Sequence, residues 1–279
     1  MNPYKLQQLV TDILLHGILI LVSLFMVLPF VWMVSTSFKP ENEVYTTKPT
    51  LISPNSSFYA YEQLIVKQNI LNNLKNSVVV STLYTLAALF FCSLGGYGFA
   101  KYKFKGKNLL FTLLLGTLVI PPAVGMVPQY VIFLKLGWID NYWGLIVPGA
   151  ANAFGIFFMR QYISTIHNEL LDAARIDGAN EFQIYLRIIL PIIVPGLTSL
   201  GLIFFMASWN SYLWPLVLLK NPENFTLPLM IRMQIHGLTG QTSFPYQMAA
   251  SVISIVPLLV IFILFQRRFL EGITAGAIK

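Results

Sequence analysis

The run Glu169-Leu-Leu-Asp172-Ala-Ala-Arg175-Ile-Asp177-Gly178-Ala-Asn180-Glu181-Phe-Gln183-Ile-Tyr-Leu-Arg187-Ile-Ile-Leu-Pro191-Ile-Ile-Val-Pro195 interrupts a chain that is otherwise close to hydrocarbon in character. It carries Glu169, Asp172, Arg175, Asp177, Glu181 and Arg187, and apolar runs flank it on both sides. Charge at this density is not tolerated in a bilayer core. The segment is therefore expected to fold outside the hydrocarbon, as a polar loop with structure of its own.

Its spacing predicts two short helices meeting at a sharp corner. Asn168 stands where it can cap the first, with Glu169 and Asp172 in the opening turn, where the helix dipole favours negative charge. Gly178 is a left-handed terminator after Asp177. Asn180 can cap the second helix, with Gln183 at capping-box spacing. Ala173, Ala174 and Ala179 keep the corner small, so that another surface can approach it. Pro191 and Pro195 mark the start of the next apolar run.

The rest of the chain agrees with a membrane setting. Of 279 residues, 56% are hydrophobic and only 10% charged; soluble domains carry about 25% charged residues. Apolar runs long enough to cross a bilayer, roughly 20 residues each, are expected near 13–35, 77–100, 109–126, 143–162, 192–213 and 249–265. The chain is therefore expected to be an all-α integral membrane protein with about six transmembrane helices. The first run is followed by Phe38-Lys39-Pro40 rather than a small-residue cleavage site, and reads as a retained span. Pro121-Pro122 is expected to break the third span. Gly95, Gly96 and Gly98 allow close helix packing near the inner end of the second. Cys92 stands alone in an apolar run and reads as a small buried hydrophobe.

The net charge of +7 does not mark a nucleic-acid face, because the basic residues lie in short loops between spans. Lys101, Lys103, Lys105 and Lys107 fix one such loop on the cytoplasmic side; Arg160, Arg175, Arg187, Arg267 and Arg268 join them there. Both termini and the polar segment then face the cytoplasm. Trp32 and Lys39 read as an interfacial anchor. Residues 40–70 and 216–247 form outside loops, and His236 in the latter reads as an exposed polar residue, with no second ligand at metal spacing.

The polar segment resembles the coupling ("EAA") loop of type I ABC importer permeases, whose pattern is Glu-Ala-Ala, two residues, Asp-Gly-Ala, then Ile-x-Leu-Pro. Here the matching residues are Asp172-Ala173-Ala174, Asp177-Gly178-Ala179 and Ile188-Ile189-Leu190-Pro191. Asp172 departs from the usual Glu, keeping the charge but shortening its reach by one methylene. Four other stretches resemble carbohydrate-class permeases, in particular the smaller permease subunit of maltose-type systems: Trp32–Lys39, Ser208–Pro215, Asn224–Leu229, and the tail Phe269–Lys279. The resemblance implies the type I importer permease fold, divided as a first span and external loop (1–70), a permease core with its coupling loop at 164–191 (71–268), and a cytoplasmic tail (269–279) that can touch the ATPase dimer in relatives. It implies a bacterial cytoplasmic-membrane location. It also implies as partners a second homologous permease, a dimer of ATP-binding subunits and an external sugar-binding protein, besides membrane lipid and with no nucleic acid.

Coupling to the ATPase is expected at Glu169, Asp172, Ala173, Ala174, Asp177, Gly178 and Ala179. The polar and aromatic end of the fifth span, with Trp209, Asn210 and Tyr212, offers a lining for a sugar pathway, since aromatic faces stack on sugar rings; an aromatic belt at the membrane surface would look alike. No Gly-x-x-x-x-Gly-Lys-Ser/Thr phosphate loop and no catalytic constellation at credible spacing is present, so no enzymatic activity and no cofactor are expected, and energy must come from a partner. A membrane enzyme acting on lipid-linked sugars and a secondary transporter are the alternatives. The scarcity of ionisable residues within the spans weighs against both.

Overall fold

The computed structural model describes residues 3–46, 50–234 and 243–277, and among them there is no strand. The helices are α1 (Pro3–Ser37), α2 (Glu41–Val44), α3 (Tyr59–Val66), α4 (Ile70–Lys101), α5 (Lys107–Thr117), α6 (Met126–Lys135), α7 (Trp143–Ile146), α8 (Ala153–Ser164), α9 (Asn168–Ile176), α10 (Glu181–Ile184), α11 (Leu190–Ile192), α12 (Val194–Trp209), α13 (Leu213–Leu218), α14 (Leu227–Gln234) and α15 (Phe244–Ala277). A π-helical turn, Tyr185–Ile189, joins α10 to α11. His236 lies outside the described residues, as do the side chains of the tail from Arg267 onward.

Among the described residues, three helices are long and apolar enough to cross a membrane: Thr11–Ser37 within α1, α4, and Phe244–Gln266 within α15. Two further helix pairs are apolar enough only when each bent pair is taken together. α5 and the stretch Pro122–Lys135 meet at 95°, and the helices Glu181–Ile192 and Val194–Trp209 meet at 79°. The first break falls at Pro121-Pro122, where two residues in succession lack an amide donor. The expected fourth span, 143–162, differs most from its apolar run. Pro148 and Gly149 split it, leaving α7 and a 12-residue α8, which at 1.5 Å per residue is about 18 Å long and shorter than the ~30 Å hydrocarbon core.

The chain forms two compact units, Met1–Ile70 with Ile231–Ile255, and Leu71–Met230 with Val256–Lys279. In the first, the stretch Thr11–Ser37 of α1 is strongly apolar and residues 11–32 are all exposed, as befits a helix whose solvent is lipid. At its end the Lys39 ammonium lies 4.5 Å from the centre of the Trp32 ring, and Phe38 packs edge-on to Phe58 at 5.1 Å. Glu43 accepts hydrogen bonds from Ser53 and Asn55, which hold its carboxyl below the usual range.

In the second unit the core is built on α4, α8, the 168–193 segment and α12. Cys92, Met159, Ile163, Ile184, Ile189, Ile193 and Leu200 are all fully buried. Close approach of α4 to α8 depends on Gly96: a Cβ there would stand 2.6 Å from Met159 Cβ and 2.8 Å from the Arg160 backbone nitrogen. Gly98, two residues on, has nothing within 4 Å. In the second half of α8 the Arg160 guanidinium lies 3.8 Å from the centre of the Phe111 ring on α5, which lets the cation rest on an apolar face. The first half of α4 is tied to the 218–227 segment by amides: Asn73 Nδ2 donates to the Phe225 carbonyl at 2.9 Å and Asn76 Nδ2 to that of Glu223 at 2.7 Å, while Leu227 N donates to Ser77 Oγ at 2.7 Å. Gly96→Val is expected to lower the stability of the detergent-purified protein by about 1–3 kcal/mol through overpacking against backbone, whereas Gly98→Ala leaves it unchanged. Thermal unfolding of the two variants side by side checks this.

Candidate functional site

Polar chemistry gathers at two places in the second unit: the hairpin of α9 and α10, and a cavity beside the first half of α4.

The corner of the hairpin is a full Schellman motif. Gly178 takes φ +83°. Its N–H donates to the Arg175 carbonyl at 3.1 Å, and Ala179 N–H to that of Ala174 at 3.0 Å, so the last carbonyls of α9 are satisfied. Asn180 then caps α10. Its Oδ1 accepts from Gln183 N at 2.9 Å, and Gln183 Oε1 accepts from Asn180 N at 3.0 Å, closing a reciprocal capping box. The start of α9 departs from its sequence reading. Asn168 lies inside the first turn, His167 holds the cap position without a side-chain bond, and Asn168 Oδ1 instead accepts from Lys101 Nζ at 3.0 Å. Lys101 also donates to the Ile166 carbonyl. A lysine at the end of α4 thus claims the oxygen expected to cap α9.

Glu181 is the centre of the hairpin's electrostatics. Arg175 Nε donates to its Oε1 at 2.8 Å and Arg175 Nη1 to Asp172 Oδ1 at 2.7 Å. From α4 and the residue after it, the Tyr102 hydroxyl donates to Glu181 Oε2 at 2.5 Å and the buried Tyr97 hydroxyl to the same oxygen at 3.1 Å. The Arg175 bond first, then the Tyr102 bond, hold the Glu181 carboxyl down to about 2. The carboxylate reciprocally raises the Arg175 guanidinium. A second tie follows one turn on, where Tyr185 OH and Ser93 Oγ meet at 2.6 Å.

The expected coupling residues share this hairpin but differ in exposure. Ala174 is buried, Ala179 half-buried, and Glu169, Asp172, Ala173, Asp177 and Gly178 are exposed. The carboxylate of Asp172 is engaged by Arg175, whereas Glu169 and Asp177 have no ion pair or side-chain hydrogen bond among the described residues. Tyr97, Tyr102 and Lys101 were not among the residues that sequence reasoning selected. They lie some eighty positions upstream in a segment whose lysines read as a topology marker, and no local spacing links them to Glu181.

The cavity has a volume of about 300 Å³, and its polar wall includes Tyr84, Gln129, Ser208, Ser211 and Thr226, with Trp214 beside them. Of the residues expected to line a pathway, Trp209 is 1% exposed, stacks on Phe205 at 5.6 Å and keeps an unpaired indole N–H. Asn210 is exposed and donates to the Met206 carbonyl at 2.9 Å, and Tyr212 is half-buried just ahead of α13. None of the three lines this cavity; their neighbours Ser208, Ser211 and Trp214 do.

Residues 12–274 match the family described as binding-protein-dependent transport system inner membrane component. The chain belongs to that family. Among relatives, it is 34% identical over 92% of its length to the arabinooligosaccharides transport system permease protein AraQ of Halalkalibacterium halodurans, covering 93% of that protein. It is 32% identical to the trehalose/maltose transport system permease protein MalG of Thermococcus litoralis, over 93% of this chain and 94% of the relative. The fold matches a chain in the crystal structure of a bacterial ABC transporter that imports alginate, with a TM-score of 0.82 at 24% identity, covering 96% of this chain and 98% of that one. This family member is a multi-pass membrane permease with the type I importer fold, as its sequence implied.

Loss of the capping box in Asn180→Ala is expected to cost about 1 kcal/mol locally, accelerating amide exchange across 180–184 roughly fivefold. Because its folded pKa is depressed, Glu181 contributes fully above its unfolded value of about 4.3 and loses that contribution only as pH falls through about 2. Proteolysis of the hairpin in wild-type protein is therefore expected to be flat between about pH 5 and 8, and in Glu181→Gln to be faster throughout that range.

Proposed function

We propose that this chain is one of two permease subunits of a binding-protein-dependent ABC importer for sugars or oligosaccharides in the bacterial cytoplasmic membrane, and that the α9–α10 hairpin is where ATP hydrolysis on partner subunits is coupled to transport. The observation that carries this reading is a hairpin fixed at its root and open at its tip. Its root is held by Glu181, Tyr185 and Asn168 against α4. Its outer side leaves Ile176 86% and Phe182 57% exposed, beside the free carboxylates of Glu169 and Asp177. Exposed apolar side chains with unpaired charges around them fit a protein-docking face. The names of the relatives support the sugar class, and the family's description supports an external binding protein.

In the mechanism, closure of the ATPase dimer moves the hairpin, and the bonds at its root carry that motion to α4. Rigid-body displacement of the spans then switches the pathway between its two openings. Glu169 and Asp177 meet polar or basic groups on the ATPase. Gly178 sets the corner, where a side chain has open space but a left-handed backbone costs roughly 1–2 kcal/mol for an L residue. The second permease and the binding protein complete the pathway, and all hydrolysis takes place on the ATP-binding subunits.

Co-purification tests the assembly. Tagged chain extracted in mild detergent is expected to bring down a homologous permease and an ATP-binding subunit. With Gly178→Val and Asp177→Ala together, the permease should stay and the ATPase be lost, along with sugar uptake. Retention of both partners and of uptake in that variant would sink the coupling assignment.

A further inference from the structure

The polar cavity in the second unit takes no part in the coupling hairpin, and its chemistry is specific. None of its fifteen lining residues is Asp, Glu, Lys, Arg or His. Its wall nonetheless carries polar groups that the protein leaves unused: the side chains of Gln129, Ser208 and Ser211 form no hydrogen bond among the described residues, and neither does the Tyr84 hydroxyl. Thr226, on the same wall, is 5% exposed and keeps a hydroxyl without a partner. A buried hydroxyl in that condition costs roughly 1–3 kcal/mol, and native proteins hold few of them. The aromatic part is ordered. Trp214 packs on the buried Phe133 with ring centres 5.5 Å apart, and Tyr84 stands edge-on to Phe204 at 6.1 Å. At about 300 Å³ the cavity reaches the lower range of small-ligand sites.

Each candidate ligand can be weighed against that wall. An anion, whether phosphate or uronate, lacks a cation to pair with and would forfeit its hydration, and a metal ion lacks a carboxylate or imidazole. A lipid chain would leave five polar side chains unsatisfied. A neutral saccharide fits both halves: its hydroxyls meet hydroxyl and amide groups, and its C–H face meets an indole or phenol ring. We propose that this subunit itself holds an uncharged sugar unit of the transported substrate in the cavity, with Ser208, Ser211 and Gln129 binding hydroxyls and Trp214 offering an aromatic face. The assignment rests on the sugar-importer reading above and narrows it to neutral saccharides at this subunit.

The test uses the complete importer, with both permeases, the ATPase and the binding protein, in ATP-loaded proteoliposomes. Uptake of labelled maltotriose, arabinotriose and lactose is compared with that of trigalacturonate. The wild type is expected to carry at least one neutral probe. In Ser208→Ala with Ser211→Ala, the KM for that probe should rise about tenfold, as expected for one or two lost hydrogen bonds, with Vmax retained; in Trp214→Leu a similar rise is expected. Fluorescence-detected size exclusion of each variant complex establishes that assembly is intact. An unchanged KM in correctly assembled variants of an active importer overturns this inference alone, as does uptake confined to trigalacturonate. Uptake of no saccharide by the wild type overturns both this inference and the sugar reading on which it rests.

Discussion

One carboxylate organises the charged end of this protein. Glu181 receives Arg175 from the helix before the corner and the phenols of Tyr97 and Tyr102 from the end of α4. Burial of Leu171, Ile184 and Ile189 seats the hairpin in the core, and that convergence adds the polar ties at its root. With it, a polar segment that hydrocarbon excludes becomes a rigid extension of the spans. The ion pairs alone would not achieve this, since exposed pairs contribute little. The rigidity comes from combining them with a left-handed glycine corner, a reciprocal cap and the buried Tyr185–Ser93 contact, each of which removes a different freedom.

The same economy governs the packing of the second unit. Within a bilayer, apolar side chains gain nothing by leaving lipid for one another, so association depends on close fit and on polar ties. Gly96 provides the fit at the α4–α8 crossing. Ahead of the apolar run, Asn73 and Asn76 tie α4 to the 222–225 segment by donating to its carbonyls. The break at Ile193 falls at a fully buried residue, so its backbone lies against protein rather than lipid.

How far the sequence could be read follows from the range of each interaction. The hairpin was legible almost residue by residue because capping boxes and glycine corners are encoded within four positions. The Asn168 cap was misjudged because its competitor, Lys101, lies 67 residues away. Span count was only partly legible. Hydropathy finds the apolar runs, but Pro148-Gly149 divides the fourth into pieces too short to cross singly, and breaks at Pro121-Pro122 and at Ile193 turn two others through 95° and 79°. The cavity wall was not legible: the polar and aromatic end of α12 stood out, yet that Ser208, Ser211 and Trp214 line the cavity depends on where α12 stops and α13 begins.

The π-helical turn at Tyr185–Ile189 sets an angular phase. Ile184 and Ile189 are both fully buried although five residues separate them, a spacing that in a regular α-helix, at about 100° per residue, would put them on different faces. Widening that turn by one residue brings them back to the same side and keeps Ile193 in line with them. The hairpin and the span it feeds therefore share a buried face only because this extra residue takes up the difference. Loss of a single residue here would rotate the hairpin tip by roughly a quarter turn about the axis of the Glu181–Ile192 helix, away from its partners on α4, while every side chain in it remained correct. The segment is thus constrained by its length as strictly as by its composition.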